Sequence, residues 1–292
     1  MRLMPALIQT QQDFFQANGY LMAPDAVTAA ELASLRHDFN AWVAESRTHE
    51  QNYGEILDGR PRFDLEPGHS AAQPALRRVN SPVEVSQSFY DVMASSRMTD
   101  YVADLIGPNV KFHHSKINSK LPGAATKVRW HQDFPFTPHT NDDLVTALLL
   151  LDDMTPENGA LEVLPGSHRG DLHTLWHGGV FTGSIDDALA DDMQRRSVPC
   201  IGAAGTVCLM HTRLAHGSKP NLSKIPRTLF ICVYSAEDAV PLVPNPVPSK
   251  LEGLLVRGER TGRVRSKDFT LKLPQKPAQA SFFSQQAATY DG

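Results

Sequence analysis

Residues 130–133 read Trp-His-Gln-Asp, and a second histidine, His216, opens the distant run His-Gly-Ser. Side chains on a β-strand alternate between faces, so His131 and Asp133, two residues apart, point the same way. One histidine from another strand then completes a set of two nitrogens and one oxygen. Such a facial set suits Fe(II), because it occupies one side of an octahedron and leaves positions open for a bidentate organic acid and oxygen. The chain has 12 histidines, and His131 taken alone reads more readily as a structural side chain than as a ligand. It gains weight only beside Asp133, His216 and Arg227, which follows His216 by 11 residues at the start of an apolar run. An arginine opening a buried strand needs an anion. A dicarboxylic acid chelating the metal at one end would supply it, as a bidentate pair to the far carboxylate. Ser218 offers a hydroxyl to the same group. His211 competes with His216, since both follow the run Val207–Met210, and spacing alone does not separate them.

Other polar residues divide less sharply. Arg213, three residues before His216, either reaches an anionic substrate group or pairs with a loop acid. His114 and the run Asn141-Asp142-Asp143 are expected around the mouth of the site. Arg77 and Arg78 either face that mouth or split between packing and solvent. Leu164-Pro165-Gly166-Ser167-His168-Arg169 reads as a structural turn rather than as chemistry, and Asp152-Asp153 as a solvated strand end.

The elements that must hold these residues change character along the chain. Up to about residue 110 the pattern is helical. Thr28 and Glu31 form a capping box ahead of Leu32, Leu35, Phe39, Trp42 and Val43 at helical spacing. Met98, Tyr101, Val102, Leu105 and Ile106 make a second amphipathic stretch, stopped by Gly107-Pro108. Residues 48–76, rich in Gly, Pro and charge, read as a long loop. After Gly107, runs at Val110–Lys120, Leu144–Leu151, Ala160–Leu164, Thr206–His211 and Arg227–Tyr234 read as strands, with Asn158-Gly159 as a tight-turn signal. Short strands broken by turns indicate a sandwich or jelly roll. Residues 170–200 form a polar insertion between its halves, and residues 241–292 a C-terminal extension, basic and then rich in Gln, Ala and Ser.

The 292 residues suffice for one large domain or two small ones, and 41% are hydrophobic, enough for a sizeable core. A net charge of −4 with no long basic run argues against a nucleic-acid partner. The opening Met1–Ile8 run is too short for a signal peptide, and no stretch approaches the ~20 apolar residues of a membrane span. Cys200, Cys208 and Cys232 show no metal spacing and read as buried free thiols, so the cytoplasm is the expected location.

Trp130-His131-Gln132-Asp133, the run Asn158 to His168, and His216-Gly217-Ser218 with Arg227 together resemble the phytanoyl-CoA dioxygenase family, across roughly residues 10–240. Ser115-Lys116-Ile117-Asn118-Ser119-Lys120 and Pro226-Arg227 also resemble the bacterial ectoine hydroxylases. The resemblance implies a single oxygenase domain, mainly β with flanking α: a double-stranded β-helix with N-terminal helices packed on its major sheet. It implies Fe(II), 2-oxoglutarate and O2, with His131, Asp133 and His216 as iron ligands. It favours His216 over His211, because the family uses the second of the two histidines. Arg227 and Ser218 would hold the far carboxylate of 2-oxoglutarate, with Lys120, Asn118 and Thr146 around the cosubstrate. Two departures bear on the substrate. Phe134-Pro135-Phe136-Thr137-Pro138-His139 stands where ectoine enzymes carry Phe-Glu-Thr-Trp-His, and Leu149 replaces a tryptophan of the phytanoyl-CoA enzyme. Asp133 is a carboxylate and not the small residue of the related halogenases, which favours hydroxylation. The expected reaction is hydroxylation of an unactivated C–H bond in a small polar, zwitterionic metabolite, releasing succinate and CO2. Arg213, His114 and Asn141 are the expected substrate contacts, in a monomer or homodimer. The rival readings are a non-catalytic β-helix binding protein, a Zn hydrolase on the same triad, and an acyl-CoA hydroxylase.

Overall fold

The computed structural model describes residues 5–123 and 127–275. The Gln-, Ala- and Ser-rich run from residue 276 onward lies outside the described residues.

Helix α1 (Gln9–Asn18) leads into strand β1 (Tyr20–Ala23). Helix α2 (Ala29–Ser46) starts at its capping box: the Thr28 hydroxyl accepts the Glu31 amide at 3.2 Å, and the Glu31 carboxylate accepts the Thr28 amide at 2.7 Å. Leu35 and Phe39 are buried, with Trp42 and Val43 packed beside them. The stretch expected to be a loop instead carries β2 (Tyr53–Leu57), β3 (Arg60–Leu65) and the start of β4 (Leu76–Asn80). Its composition conceals the strands for a physical reason. β2 is mostly exposed, and β3 buries Arg62 and Asp64 among its apolar residues, so pairing with a neighbouring strand defines these elements more than hydrophobicity does. Helices α3 (Gln87–Ser95) and α4 (Arg97–Ile106) follow, and α4 ends at Gly107.

The remaining elements are β5 (Val110–Lys120), β6 (Val128–His131), β7 (Leu144–Leu150), β8 (Leu161–Val163), β9 (Trp176–His177), β10 (Val180–Phe181), α5 (Asp187–Arg196), β11 (Val198–Cys200), β12 (Val207–His211), β13 (His216–Ser218), β14 (Arg227–Ala236) and β15 (Leu255–Arg257). They form a major antiparallel sheet in the order β1-β12-β7-β14-β5-β4-β3-β2, with β15 alongside β5, and a minor sheet β11-β8-β13-β6. This is a double-stranded β-helix, or jelly roll, with flanking helices. Asn158-Gly159 makes a turn but not a hairpin, because β7 and β8 on either side of it belong to different sheets. Gly159 has φ +75°, and a Cβ there would lie 2.6 Å from the Lys219 carbonyl oxygen, so only glycine fits where β8 meets β13.

Alternation along the major strands divides the molecule. Val145, Ala147 and Leu149 of β7, Phe230, Cys232 and Tyr234 of β14 and Val207 and Leu209 of β12 join residues of α2, α3 and α4 in one buried cluster on the outer face. Leu148, Leu150, Cys208, Met210, Leu229 and Ile231 point the other way, toward Leu161 and Val163 of the minor sheet. The 170–200 insertion is a β9–β10 ribbon plus α5, and Leu175, Phe181, Ile185 and Met193 pack with Trp130 in a core of their own. The C-terminal segment returns across the molecule, where Phe269 and Leu271 pack near Phe134 and Leu144.

Candidate metal centre and cosubstrate cavity

β6 and β13 are neighbours in the minor sheet, and His131 and His216 are direct Cα partners across them. A Cβ at Gly217 would stand 3.1 Å from the Val128 carbonyl oxygen and 3.3 Å from the Trp130 ring. Glycine at that position therefore lets the two histidine-bearing strands approach. The imidazole centroids are 4.2 Å apart, and Asp133 Oδ1 lies 3.5 Å from His131 Nε2 and 3.7 Å from His216 Nε2. Among the described residues these three form the group of His, Cys, Asp and Glu side chains close enough to share a metal, with donor atoms all within 4.8 Å.

Each ring is oriented from behind. His131 Nδ1 faces the Arg129 carbonyl oxygen at 2.8 Å and His216 Nδ1 faces that of Leu214 at 3.0 Å. A proton on Nδ1 satisfies each carbonyl and leaves Nε2 as a lone-pair donor toward the shared space. Thr146 Oγ1 donates to Asp133 Oδ2 at 2.7 Å, which fixes the carboxylate and turns Oδ1 toward the imidazoles. Burial pushes the His216 pKa down to about 4, helped by the neighbouring His131, so the ring is neutral at pH 7. Burial works to raise the Asp133 pKa, but His216, His131 and Lys116 outweigh it and hold the carboxyl far below its usual range. Two imidazole nitrogens and one ionised carboxylate fit a divalent iron ion. His211 lies on the other face of β12 from Met210, beside Phe15 and His168, with its Nδ1 accepting the Arg213 amide at 3.1 Å.

The triad opens into a cavity of about 370 Å³ between the sheets. Inward-facing residues of three major strands line it: His114, Lys116, Asn118 and Lys120 of β5, Arg227, Leu229, Ile231 and Val233 of β14, and Thr146 and Leu148 of β7. At one end Arg227 is the Cα partner of Lys120. Lys120 Nζ donates to Ser218 Oγ at 2.7 Å and to the Lys219 carbonyl oxygen. Arg227 is buried, and its Nε has no hydrogen-bond partner among the described residues. Burial lowers its pKa to about 10. Burial, reinforced by Arg227, brings Lys120 down to about 6. The Arg227 guanidinium, the Lys120 amine and the Ser218 hydroxyl, gathered in an apolar setting, make a receptor for a carboxylate.

The expected substrate residues are not all brought here. His114 lines the cavity, with its Nδ1 2.7 Å from that of His113. Asn141 is buried elsewhere, donating to the Arg265 carbonyl oxygen at 3.0 Å and to Asp238 at 3.3 Å. Arg213 pairs with Asp142 at 3.0 Å and lines a separate open depression beside Asp171 and His173. Thr146, expected beside the cosubstrate, lines the cavity and also holds Asp133. Arg77 and Arg78 both reach the cavity, as do Arg60 and Glu66 from the preceding stretch whose strands its composition conceals. Val243, Pro244, Pro246, Val247 and Leu273 of the C-terminal segment close the wall. Their hydrophobicity was readable in sequence, but their position was not. The Leu164–Arg169 turn is structural, with Ser167 Oγ accepting the Ala215 amide at 2.9 Å. Asp152 and Asp153 accept the amides of Thr228 and Ala204, each at 2.9 Å.

Residues 15–229 match the phytanoyl-CoA dioxygenase (PhyH) family along most of the chain. The chain belongs to the phytanoyl-CoA dioxygenase family. A relative in Stutzerimonas stutzeri, described as a probable alpha-ketoglutarate-dependent hypophosphite dioxygenase, is 32% identical over 270 residues, covering 90% of this chain and 91% of its own. The ectoine dioxygenase of Halomonas elongata is 29% identical over 250 residues, 80% of this chain and 71% of that one. The crystal structure of EctD from S. alaskensis with 2-oxoglutarate and 5-hydroxyectoine superposes with a TM-score of 0.66 at 26% identity, covering 91% of this chain and 89% of that one. As a phytanoyl-CoA dioxygenase family member with a His-Asp-His facial set, the protein is a 2-oxoglutarate-dependent iron dioxygenase.

Proposed function

We propose that this dioxygenase hydroxylates an unactivated C–H bond of a small zwitterionic metabolite, an amino acid, betaine or aminophosphonate. The observation that carries this reading is the cavity itself. Its 370 Å³ lies near the lower end of the usual ~300–1,000 Å³ range of small-molecule pockets, and it must admit 2-oxoglutarate as well as substrate. The wall around the triad is cationic toward β3, β4 and β5, and Phe136 and Phe181 pack edge to face at 5.5 Å beside His131. A cationic wall suits an acid group, and aromatic rings suit an ammonium group.

His131, Asp133 and His216 would hold Fe(II), which when bound supplies oxygen activation coupled to decarboxylation of 2-oxoglutarate to succinate and CO2. The chain's own side chains do the rest. The Arg129 and Leu214 carbonyls fix the histidine tautomers, and Thr146 fixes the carboxylate. Arg227, Ser218 and Lys120 would hold the far carboxylate of 2-oxoglutarate, a buried charged pairing that fixes its orientation in the cavity. Leu148, Leu161, Leu229, Ile231 and Val233 keep the reacting centre dry. No side chain need transfer a proton to the substrate. The three buried free cysteines fit a reducing, cytoplasmic setting, and among the described residues no helix is long and apolar enough to cross a membrane. Walls drawn from Arg60 through Gln275 support one oxygenase domain.

The test is succinate release from Fe(II)-loaded enzyme with panels of zwitterionic metabolites and acyl-CoA esters. Succinate equimolar with a hydroxylated zwitterion is expected. Coupled turnover of an acyl-CoA and of no zwitterion would refute the substrate class.

A further inference from the structure

A β-bulge in β5 brings two histidines side by side. In the pairing of β5 with β14, His114 faces Val233 and Phe112 faces Tyr234, so His113 between them has no Cα partner on β14. Consecutive strand residues normally leave opposite faces, and a bulge is the device that re-aims one of them. Here His113 Nδ1 comes to 2.7 Å from His114 Nδ1, with the two rings edge to face. His114 lines the cavity. On the other side of His113, Glu252 Oε1 lies 3.7 Å from its Nε2. Asn245 holds that carboxylate in place, donating to Glu252 Oε2 and to the His113 carbonyl oxygen, each at 3.0 Å.

Burial keeps both rings neutral at pH 7, lowering His113 to about 3 and His114 well below its ordinary value. Each ring therefore carries one proton, and a bond from Nδ1 to Nδ1 needs it on Nδ1 of one ring and on Nε2 of the other. Two arrangements satisfy the bond. In the first, His113 donates, a lone pair on His113 Nε2 faces Glu252, and His114 has its proton on Nε2. In the second, His114 donates, the His113 Nε2–H faces Glu252, and His114 keeps a lone pair on Nε2. Intrinsic ring preferences cancel, because the same two tautomers occur in both arrangements, exchanged between the rings. The carboxylate breaks the tie, since it attracts an N–H and repels a lone pair. His139, edge-on to His113 with centroids 5.0 Å apart, offers no competing proton. Its Nδ1 faces the Thr137 carbonyl oxygen at 2.9 Å, and burial keeps it neutral. The Lys111 ammonium, the other charge acting on His113, donates to the Ala239 carbonyl oxygen at 3.0 Å.

We infer that Glu252, acting through His113, fixes His114 as a hydrogen-bond acceptor in the cavity, and that His114 Nε2 takes an N–H of the substrate's ammonium group. This rests on the proposed hydroxylase reading and narrows its zwitterions to those whose nitrogen still carries hydrogen, since a betaine has none to donate. The position of His114 agrees. Val233 is the Cα partner of His114 on one side and of Thr146 on the other, so His114 shares a row with the residue that holds Asp133, two strand spacings or about 10 Å away. Lys120 stands six residues further along β5, about 20 Å from His114. His114 is therefore on the metal side of the cavity, out of reach of the far carboxylate of 2-oxoglutarate. Glu252 is a positioning residue, and His114 is the group that touches substrate.

The tautomers are read directly by nitrogen NMR of isotopically labelled histidines. Zn(II) replaces Fe(II) to remove paramagnetism, and His113→Gln and His114→Gln assign the signals. The wild type should carry the His114 proton on Nδ1 and the His113 proton on Nε2. Glu252→Ala should populate both arrangements, and Glu252→Lys, which brings an ammonium toward His113 Nε2, should reverse them. Binding is measured calorimetrically and without oxygen in enzyme saturated with Fe(II) and 2-oxoglutarate. The probes are β-alanine, 2-aminoethylphosphonate and the N-trimethyl derivative of each. At least one amine should bind about tenfold or more tightly than its trimethyl derivative, the discrimination expected of one charge-assisted hydrogen bond. That ratio should fall below about threefold in Glu252→Lys, while 2-oxoglutarate affinity changes less than threefold. A wild-type His114 protonated on Nε2 would overturn the assignment. So would tautomers left unmoved in both folded Glu252 variants, or trimethyl derivatives bound as tightly as their amines. Binding of none of the four probes would instead refute the zwitterion reading, and the ammonium contact with it, while the tautomers decide the polarity of His114 separately.

Discussion

At the residue scale, the structure divides the labour among side chains that look equivalent in sequence. His211 and His216 flank one short turn, yet they face different environments, so His131→Ala and His216→Ala should abolish iron binding while His211→Ala retains it. Equilibrium dialysis against Fe(II) separates the cases, and metal loss in the His211 variant alone would reverse the assignment. Thr146 supports Asp133 through one hydrogen bond at 2.7 Å. Partners that orient metal ligands typically contribute about 10–100-fold to affinity or activity. Thr146→Val, nearly isosteric, should lose iron affinity or turnover in that range, while 2-oxoglutarate affinity at saturating iron stays within about threefold. Arg227 is a different case, a buried charge awaiting a counter-ion. Loss of a buried charged pairing costs about 2–5 kcal/mol, which corresponds to a tens- to thousands-fold higher 2-oxoglutarate requirement in Arg227→Ala. Arg227→Lys should recover only part, since a lysine lacks the planar fork.

At the element scale, legibility followed hydrophobic contrast. α2 and α4 were readable because apolar residues recur at helical spacing and a cap or Gly-Pro closes one end. β5 and β14 were readable as runs of inward and outward residues. β2 and β3 were not, because what holds them is edge pairing and buried ion pairs such as Arg62 with Glu84 at 2.9 Å, which leave no periodic signature. That miss concealed Arg60 and Glu66 as cavity residues and left the placement of Arg77 and Arg78 open. Thr146 was legible as a polar residue in an apolar strand, but its bond to Asp133 depends on the packing of β7 against β6. Gly159 tests the join between the sheets. Its positive φ and the 2.6 Å approach to Lys219 predict that Gly159→Ala is destabilising by more than the ~1 kcal/mol of an ordinary glycine replacement, measured by urea denaturation.

At the scale of the whole molecule, the jelly roll keeps its dry helical face and its polar interior apart, and the polar side carries a cost that depends on pH. Burial lowers the pKa of His113 to about 3, of His139 to about 4 and of His211 to about 3. Between those values and about 6.5 the unfolded chain binds more protons than the folded one, so stability falls as pH falls through that window. Denaturation midpoints should therefore drop from pH 7 to pH 5, before ordinary carboxylates titrate. His139→Gln should flatten the slope, and an unchanged slope would show that His139 is not a source of the effect. The family and its metal set were legible because three blocks of sequence converge on one site. The rest of the cavity wall was not, because it is assembled from an edge hairpin and a returning C-terminal segment whose positions only the folded chain defines. The central claim is that iron at His131, Asp133 and His216 and the cation at Arg227 bind the two ends of one 2-oxoglutarate molecule. The most direct measurement is anaerobic titration of 2-oxoglutarate into the wild type, His216→Ala and Arg227→Ala, with and without Fe(II). Iron-dependent binding that is lost in His216→Ala and weakened at least tenfold in Arg227→Ala is the predicted result, whereas binding of equal strength without iron, or undiminished in Arg227→Ala, would contradict it.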